Sequence, residues 1–210
     1  MWGRRFLLLS LDDWHLVFAS VCLVLVLAVC SPLVLAYLPS RDEPFFALAV
    51  LGEEGMAEHY YPDDDPQIEV GEEVNWTLYL YNHMGKAQYV AVRVKFLNST
   101  MLAPNSTSVS PSPAPVVFEV RRVLLDNETW LFPFFWAVLD VEQIDDFLEI
   151  RSLYLNDEVI DTHTIAMQGY SFRVIFELWV YDKDFEDLRF GWVNGDEMRC
   201  TWNQIWFNVA

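Results

Sequence analysis

The sequence predicts an all-β domain, an antiparallel β-sandwich, carried behind one membrane-spanning helix. Two observations lead there. Between Phe45 and Ala210, short runs alternate apolar and polar residues with a period of two, separated by turn residues, and no long soluble helix intervenes. Ahead of them, the segment Leu16 to Leu38 reads LVFASVCLVLVLAVCSPLVLAYL, without a single charge.

The expected organisation is an N-terminal tail over 1–15, an anchor over 16–38, a short charged linker over 39–44 and the β domain over 45–210. At 1.5 Å per residue the anchor spans about 34 Å, enough for a bilayer core. Trp14 and Tyr37 stand at its ends, where aromatic rings favour the interface. Pro32 is tolerable inside such a helix. Val34 and Ala36 before Tyr37 keep a cleaved signal peptide open as the alternative, but the apolar run is longer than a usual signal core. Arg4 and Arg5 on one flank outnumber Arg41 on the other, which places the N-terminus in the cytoplasm. Four N-x-S/T sequons, at Asn75, Asn98, Asn105 and Asn127, all follow the anchor. Together these predict a single-pass protein of the cell membrane with an extracellular C-terminal domain.

Phe45 to Leu51 reads as the first strand, ended by Gly52 and Gly55. YYPDDDP, residues 60–66, is loop by its prolines and adjacent aspartates. Glu73 to Tyr81 puts Val74, Trp76, Leu78 and Leu80 on one face, and Asn75, Thr77, Tyr79 and Tyr81 on the other. The stretch NHMGK, residues 82–86, predicts an antiparallel hairpin to the next strand, Tyr89 to Phe96. Residues 99–115 contain NSTSVSPSPAP and read as an exposed, mobile loop. Val116 to Leu125 and Trp130 to Leu139 read as strands, with Pro133 marking an edge or a bulge. Gln143 to Phe147 is ambiguous and allows one helical turn. Leu148 to Ile165 reads as a hairpin about Asn156-Asp157. Phe172 to Tyr181, with Phe172, Val174, Phe176, Leu178 and Val180 inward, and Thr201 to Val209 supply the last strands.

The net charge is −18, and Arg4, Arg5, Asp12 and Asp13 cancel in the first 38 residues, so the excess lies beyond them. Such a domain repels phosphate backbones, and nucleic-acid binding is not expected. Cys22 and Cys30 fall in the anchor, which leaves Cys200 with no partner for a disulfide inside the domain and reads it as a small core hydrophobe.

Several segments resemble a known family. Leu51-Gly52-Glu53-Glu54-Gly55-Met56-Ala57-Glu58 with Tyr61-Pro62 is similar to the LGxxGxAxxYP opening of the archaeal DUF1616 extracytoplasmic domain. Val70-Gly71-Glu72-Glu73, Asn82-His83, Leu125 to Trp130, Phe176 to Tyr181 and Ile205 to Val209 look like its later elements. The resemblance covers about Phe45 to Ala210, discontinuously. It departs in having one membrane helix where many members have several, and in a longer segment over Val141 to Gly169. It implies an Ig-like sandwich outside the membrane, and it carries no catalytic residue, since the family's function is unknown.

No nucleophile motif, metal-ligand histidine spacing or phosphate-binding glycine loop is present, so no catalysis and no cofactor is expected. The histidines past the anchor, His59, His83 and His163, are isolated and read as surface or turn residues. Asp63, Asp64 and Asp65, and Asp182, Asp184, Glu186 and Asp187, are the weak calcium candidates; neither set has the EF-hand spacing, and both read as solvated loops. Trp179 and Trp206 with Tyr79 and Tyr81 could form one outward aromatic platform for sugars or a neighbouring subunit. The function expected is protein interaction or assembly at the cell envelope, with a membrane subunit, an S-layer component or a second copy as partner. The alternative is a carbohydrate-binding or surface-polysaccharide assembly accessory; a groove of aromatics favours it, and a flat patch favours protein interaction.

Overall fold

A computed structural model describes residues 11–37 and 43–210. Residues 1–10 of the expected tail and most of the linker, with Arg4, Arg5 and Arg41, lie outside the described residues. The chain divides into two units, 1–42 and 43–210. In the first, α1 (Leu11–Tyr37) begins five residues before the expected anchor and is about 40 Å long. Its stretch Trp14–Ser31 is long and apolar enough to cross a membrane, and none of it is buried against protein. The Ser20 hydroxyl is satisfied on the Leu16 carbonyl at 2.8 Å.

The second unit is a sandwich of two sheets. Its strands are β1 (Phe45–Leu51), β2 (Gln67–Ile68), β3 (Glu73–His83), β4 (Gln88–Asn98), β5 (Phe118–Leu124), β6 (Thr129–Ile144) and β7 (Phe147–Leu155). Then follow β8 (Glu158–Met167), β9 (Phe172–Asp182), β10 (Asp187–Phe190), β11 (Trp192–Asn194), β12 (Glu197–Arg199) and β13 (Trp202–Val209). One sheet has the order β1-β3-β6-β7-β8. The other runs β2-β13-β9-β4-β5, with β10 also on β9, and β11-β12 is a small separate hairpin. The opening strand is split between sheets: β1 pairs antiparallel with β3, and β2 pairs parallel with the last strand, β13. This is an Ig-like sandwich.

The alternation expected from sequence sets the core. Val74, Trp76, Leu78 and Leu80 of β3 face Val90, Val92, Val94 and Phe96 of β4 and Phe172, Val174, Phe176 and Leu178 of β9 within one cluster of buried side chains. With no disulfide, aromatic rings bridge the sheets. Trp76 of β3 meets Phe176 of β9 edge-on at 6.0 Å and Trp136 of β6 meets Phe207 of β13 at 4.9 Å, while Trp76 and Trp136 lie 5.1 Å apart within one sheet. The Trp76 indole N–H donates to the Tyr60 carbonyl at 2.5 Å, and the Tyr61 hydroxyl donates to the Trp206 carbonyl, so YYP closes one end of the sandwich.

Four expectations are corrected. β3 and β4 are not a hairpin, because they lie in different sheets. The intervening turn is a crossover held by Asn82, which is fully buried. Its amide N–H groups reach the carbonyls of Lys86, Leu124 and Leu125, and its carbonyl accepts from Met84 N–H. Residues 99–115 do not float free: Pro104, Ser112 and Ala114 are buried against the outer side of the β4–β9 sheet. Gln143 to Phe147 is no helical turn; β6 runs on to Ile144 and turns at Asp145-Asp146 into β7. Cys200 is half-buried, not a core residue.

Two further turn and edge expectations are seen in the structure. Asn156 and Asp157, at φ 42° and 74°, make the β7–β8 turn. Pro133 lies where β6 pairs with β3 alone, beyond the last residue of β7, so its missing N–H costs no ladder bond.

Candidate functional site

The outer face of the β1-β3-β6 sheet carries no charge over its central rows. Phe45 lies beside His83; Ala47, Tyr81 and Thr129 form the next row; then Ala49, Tyr79 and Leu131; then Leu51, Thr77 and Pro133; then Asn75 and Phe135. None of these 13 positions is Asp, Glu, Lys or Arg, in a chain with 31 acidic and 13 basic residues. Leu131 is 57% exposed, Phe135 41% and Phe45 40%. Strand geometry explains the shared surface: three neighbouring strands present every second side chain to the same side.

One corner of this face is polar but bonded. Tyr81 and His83 stack at 5.9 Å, and Phe45 packs on His83 at 5.0 Å. The Asn127 side-chain oxygen accepts from the Tyr81 hydroxyl at 3.0 Å and lies 2.7 Å from His83 Nδ1. Asn127 sits in the β5–β6 corner with φ 59°, and its amide nitrogen donates to Asp126 at 2.9 Å.

The expected four-ring platform does not form. Tyr79 and Tyr81 are on this face, whereas Trp179 and Trp206 project from the outer side of the opposite sheet, on β9 and β13. There Trp179 is half-buried beneath Arg93, whose guanidinium carbon is 3.8 Å from the ring centroid. Trp206, 41% exposed, lies under Arg173 at 4.8 Å. The registers put Trp206 opposite Arg173 and Trp202 opposite Glu177, so the two tryptophans occupy different ends of their strands. Period-two reasoning found the outward side of each strand and missed which sheet it joins. It also missed Phe45, Leu131 and Phe135, although Leu131 and Phe135 sat in the outward register of Trp130 to Leu139 as apolar residues where polar ones were due.

The sequons differ in what holds them. Asn105 is exposed at a loop tip; its oxygen accepts from Thr107 and Ser108 N–H, and its nitrogen has no partner among the described residues. Asn98 is tied down, its nitrogen donating to the Ile165 carbonyl at 2.7 Å while its oxygen accepts from Thr100 and Met101. Asn75 is half-buried in the uncharged face, its oxygen buried without a partner. Asn98 lines a cleft of about 510 Å³ with Phe147, Ile165, Met167 and Tyr170.

The acidic clusters are separately engaged. Asp64 holds His59 Nδ1 at 2.7 Å and raises its pKa, through the hydrogen bond first and the charge second. Asp65 accepts from Gln67 N–H, and Asp63 is exposed. Asp182 accepts from Asp184 N–H and pairs with Arg189 at 3.0 Å; these bonds, the backbone one foremost, lower its pKa. Asp184, Glu186 and Asp187 are exposed in the same turn, with the Asp187 oxygen on Leu188 N–H. Among the described residues, no three of His, Cys, Asp and Glu converge to hold a metal ion.

No family model matches the chain, and no curated protein matches it. Among solved structures, the CARDB domain of the PF1109 protein from Pyrococcus furiosus, in complex with di-metal ions, superposes with TM-score 0.39. It shares 10% identity over 81% of this chain and 96% of that one. A β-glucosidase from Listeria innocua gives TM-score 0.39 and 12% identity, over 79% of this chain and 16% of the enzyme. The C-terminal domain of wzt gives 0.34 and 6%, over 81% and 80%. At these scores the likenesses carry no argument, and the strand order itself places the domain in the Ig-like class.

Proposed function

We propose that this chain is a membrane-anchored interaction protein of the cell envelope, whose Ig-like domain faces outward and holds a protein partner without catalysis. The observation that carries the reading is the uncharged, partly apolar face around Tyr79 and Leu131, in a chain of net charge −18. A sugar-binding role is less supported, because the four rings that would have formed its platform are split between two sheets. The cytoplasmic N-terminus and the resemblance to the DUF1616 domains remain part of the proposal. The residues behind that resemblance are structural here: Gly52 under the loop, Tyr61 on Trp206, Asn82 in the crossover.

The test is purification of the full chain from membranes in mild detergent, beside a variant with Tyr79→Glu and Leu131→Glu. A stoichiometric protein partner retained by the wild type and lost from the variant is expected. Equal recovery of any partner by both would remove this face from the function.

A further inference from the structure

We infer that the partner of this face is a second copy of the chain, the two domains meeting face to face about a two-fold axis near Tyr79 and Leu131. This rests on the interaction reading above and names its partner. Charge argues for it first. The domain carries the whole −18, so two copies approaching by most surfaces bring carboxylate against carboxylate. The 13 positions of this face bring no carboxylate, and carboxylates stand at its border, with Glu73 beyond Asn75 and Asp126 beside Asn127. A basic partner would gain nothing from a surface without carboxylates. A lipid surface would need cations at the rim, where Glu73 and Asp126 stand instead.

Self-pairing also suits the shape. A sheet face can be its own complement, as an isologous interface requires. Three strands and five rows of side chains cover about 15 Å by about 30 Å, so two copies bury about 1,000 Å² together. That is at the lower edge of specific interfaces, which corresponds to a weak dimer in dilute solution. Two anchors in one membrane raise the local concentration and make such a contact sufficient. A glycan on Asn75 would stand in the contact, so this sequon is unmodified in the paired form.

Light scattering of the detergent-purified full chain over a concentration series tests this. The wild type forms a dimer with a micromolar midpoint. Tyr79→Glu with Leu131→Glu shifts that midpoint at least tenfold upward, and Val123→Glu, an exposed apolar site on β5 of the other sheet, leaves it in place. Circular dichroism confirms that the variants fold. A second readout needs no destabilising charge: in a background with Cys22, Cys30 and Cys200 replaced by Ser, Leu131→Cys cross-links two chains under mild oxidation and Val123→Cys does not. A monomeric wild type, a dimer indifferent to Tyr79→Glu with Leu131→Glu, or equal cross-linking at both sites would overturn the proposal. A monomer that still loses a different bound protein in the glutamate variant would overturn self-pairing while leaving the interaction reading intact.

Discussion

Lys95 and Glu177 form an ion pair sealed beneath the segment that follows β4: Lys95 Nζ is 2.9 Å from Glu177 Oε2, and the two side chains are 3% and 0% exposed. Every remaining polar atom of the pair is engaged by the covering segment or its neighbour. Lys95 donates to the Ser112 carbonyl at 2.5 Å, Ser112 N–H donates to Glu177 Oε1 at 2.7 Å, and the Trp179 indole donates to Glu177 Oε2 at 3.0 Å. The pair therefore acts as a rivet holding residues 99–117 against the sheet. It satisfies a main chain that would otherwise be buried with open hydrogen bonds.

Removing one partner leaves the other charged and buried. Lys95→Met is expected to destabilise the domain by about 3–5 kcal/mol, and Lys95→Met with Glu177→Gln by less, since the second change removes the stranded charge. Urea unfolding of the purified chain measures both, and limited proteolysis reports whether 99–117 lifts first. A loss below about 1 kcal/mol for Lys95→Met would mean that water already reaches the pair.

Expression in a host that attaches N-linked glycans should mark the sequons unequally. Asn105, exposed and with its nitrogen unengaged, is expected to be occupied; Asn98, whose nitrogen holds the Ile165 carbonyl, is not. Glycopeptide mass spectrometry reads this directly. Asn105→Gln should remove the glycan at a cost within about 0.5 kcal/mol, because water reaches the Thr107 and Ser108 N–H groups it releases. Asn98→Ala should cost about 1–3 kcal/mol through its lost main-chain bonds. The reverse pattern of occupancy would contradict these bonds.

His59 should titrate above its usual value of 6.5 because Asp64 accepts a hydrogen bond from its protonated ring nitrogen and adds a favourable charge. A histidine whose pKa is raised on folding stabilises the fold fully below its unfolded value. That contribution is lost as pH rises through the folded value. Asp64→Asn is expected to bring the His59 midpoint back toward 6.5 in an NMR titration. An unchanged midpoint would show that the pair does not form in solution.

Gly52 is required for space. A Cβ there would meet the carbonyls of Glu58 and His59 closer than van der Waals contact allows, whereas at Gly55, with φ 74°, it would meet nothing within 4 Å. Gly52→Ala should therefore cost about 1–3 kcal/mol or more by forcing main chain apart. Gly55→Ala should cost about 1 kcal/mol, from its left-handed backbone alone. Thermal unfolding of the two variants separates the causes, and equal losses would refute the steric account.

Much of this was local and therefore legible. Alternation in β3, β4 and β9 named the inward residues correctly, because side-chain direction in a strand depends only on the parity of position. The turn at Asn156-Asp157 was legible because that turn type needs residues tolerant of positive φ. The crossover at NHMGK was not, since Asn and Gly serve a hairpin and a sheet-to-sheet corner alike. What separates the two is Asn82 reaching Leu124 and Leu125, more than 40 residues away. The burial of Ser112 and Ala114 in a polar, proline-rich stretch was hidden for the same reason, because Lys95 and Glu177 meet only once β4 and β9 pair.

The sequence by itself determined an apolar helix of spanning length, a sandwich of alternating strands, and which side of each principal strand faces the core between the sheets. Only the tertiary structure decided which strands share a sheet, and so which outward residues share a surface. Tyr79 and Trp179 were both correctly outward, yet they stand on opposite sides of the molecule, while Leu131 and Phe45 join Tyr79 from strands distant in sequence. Parity along a strand is set by covalent geometry; adjacency between strands is set by long-range pairing and packing, and the candidate site depends on the second.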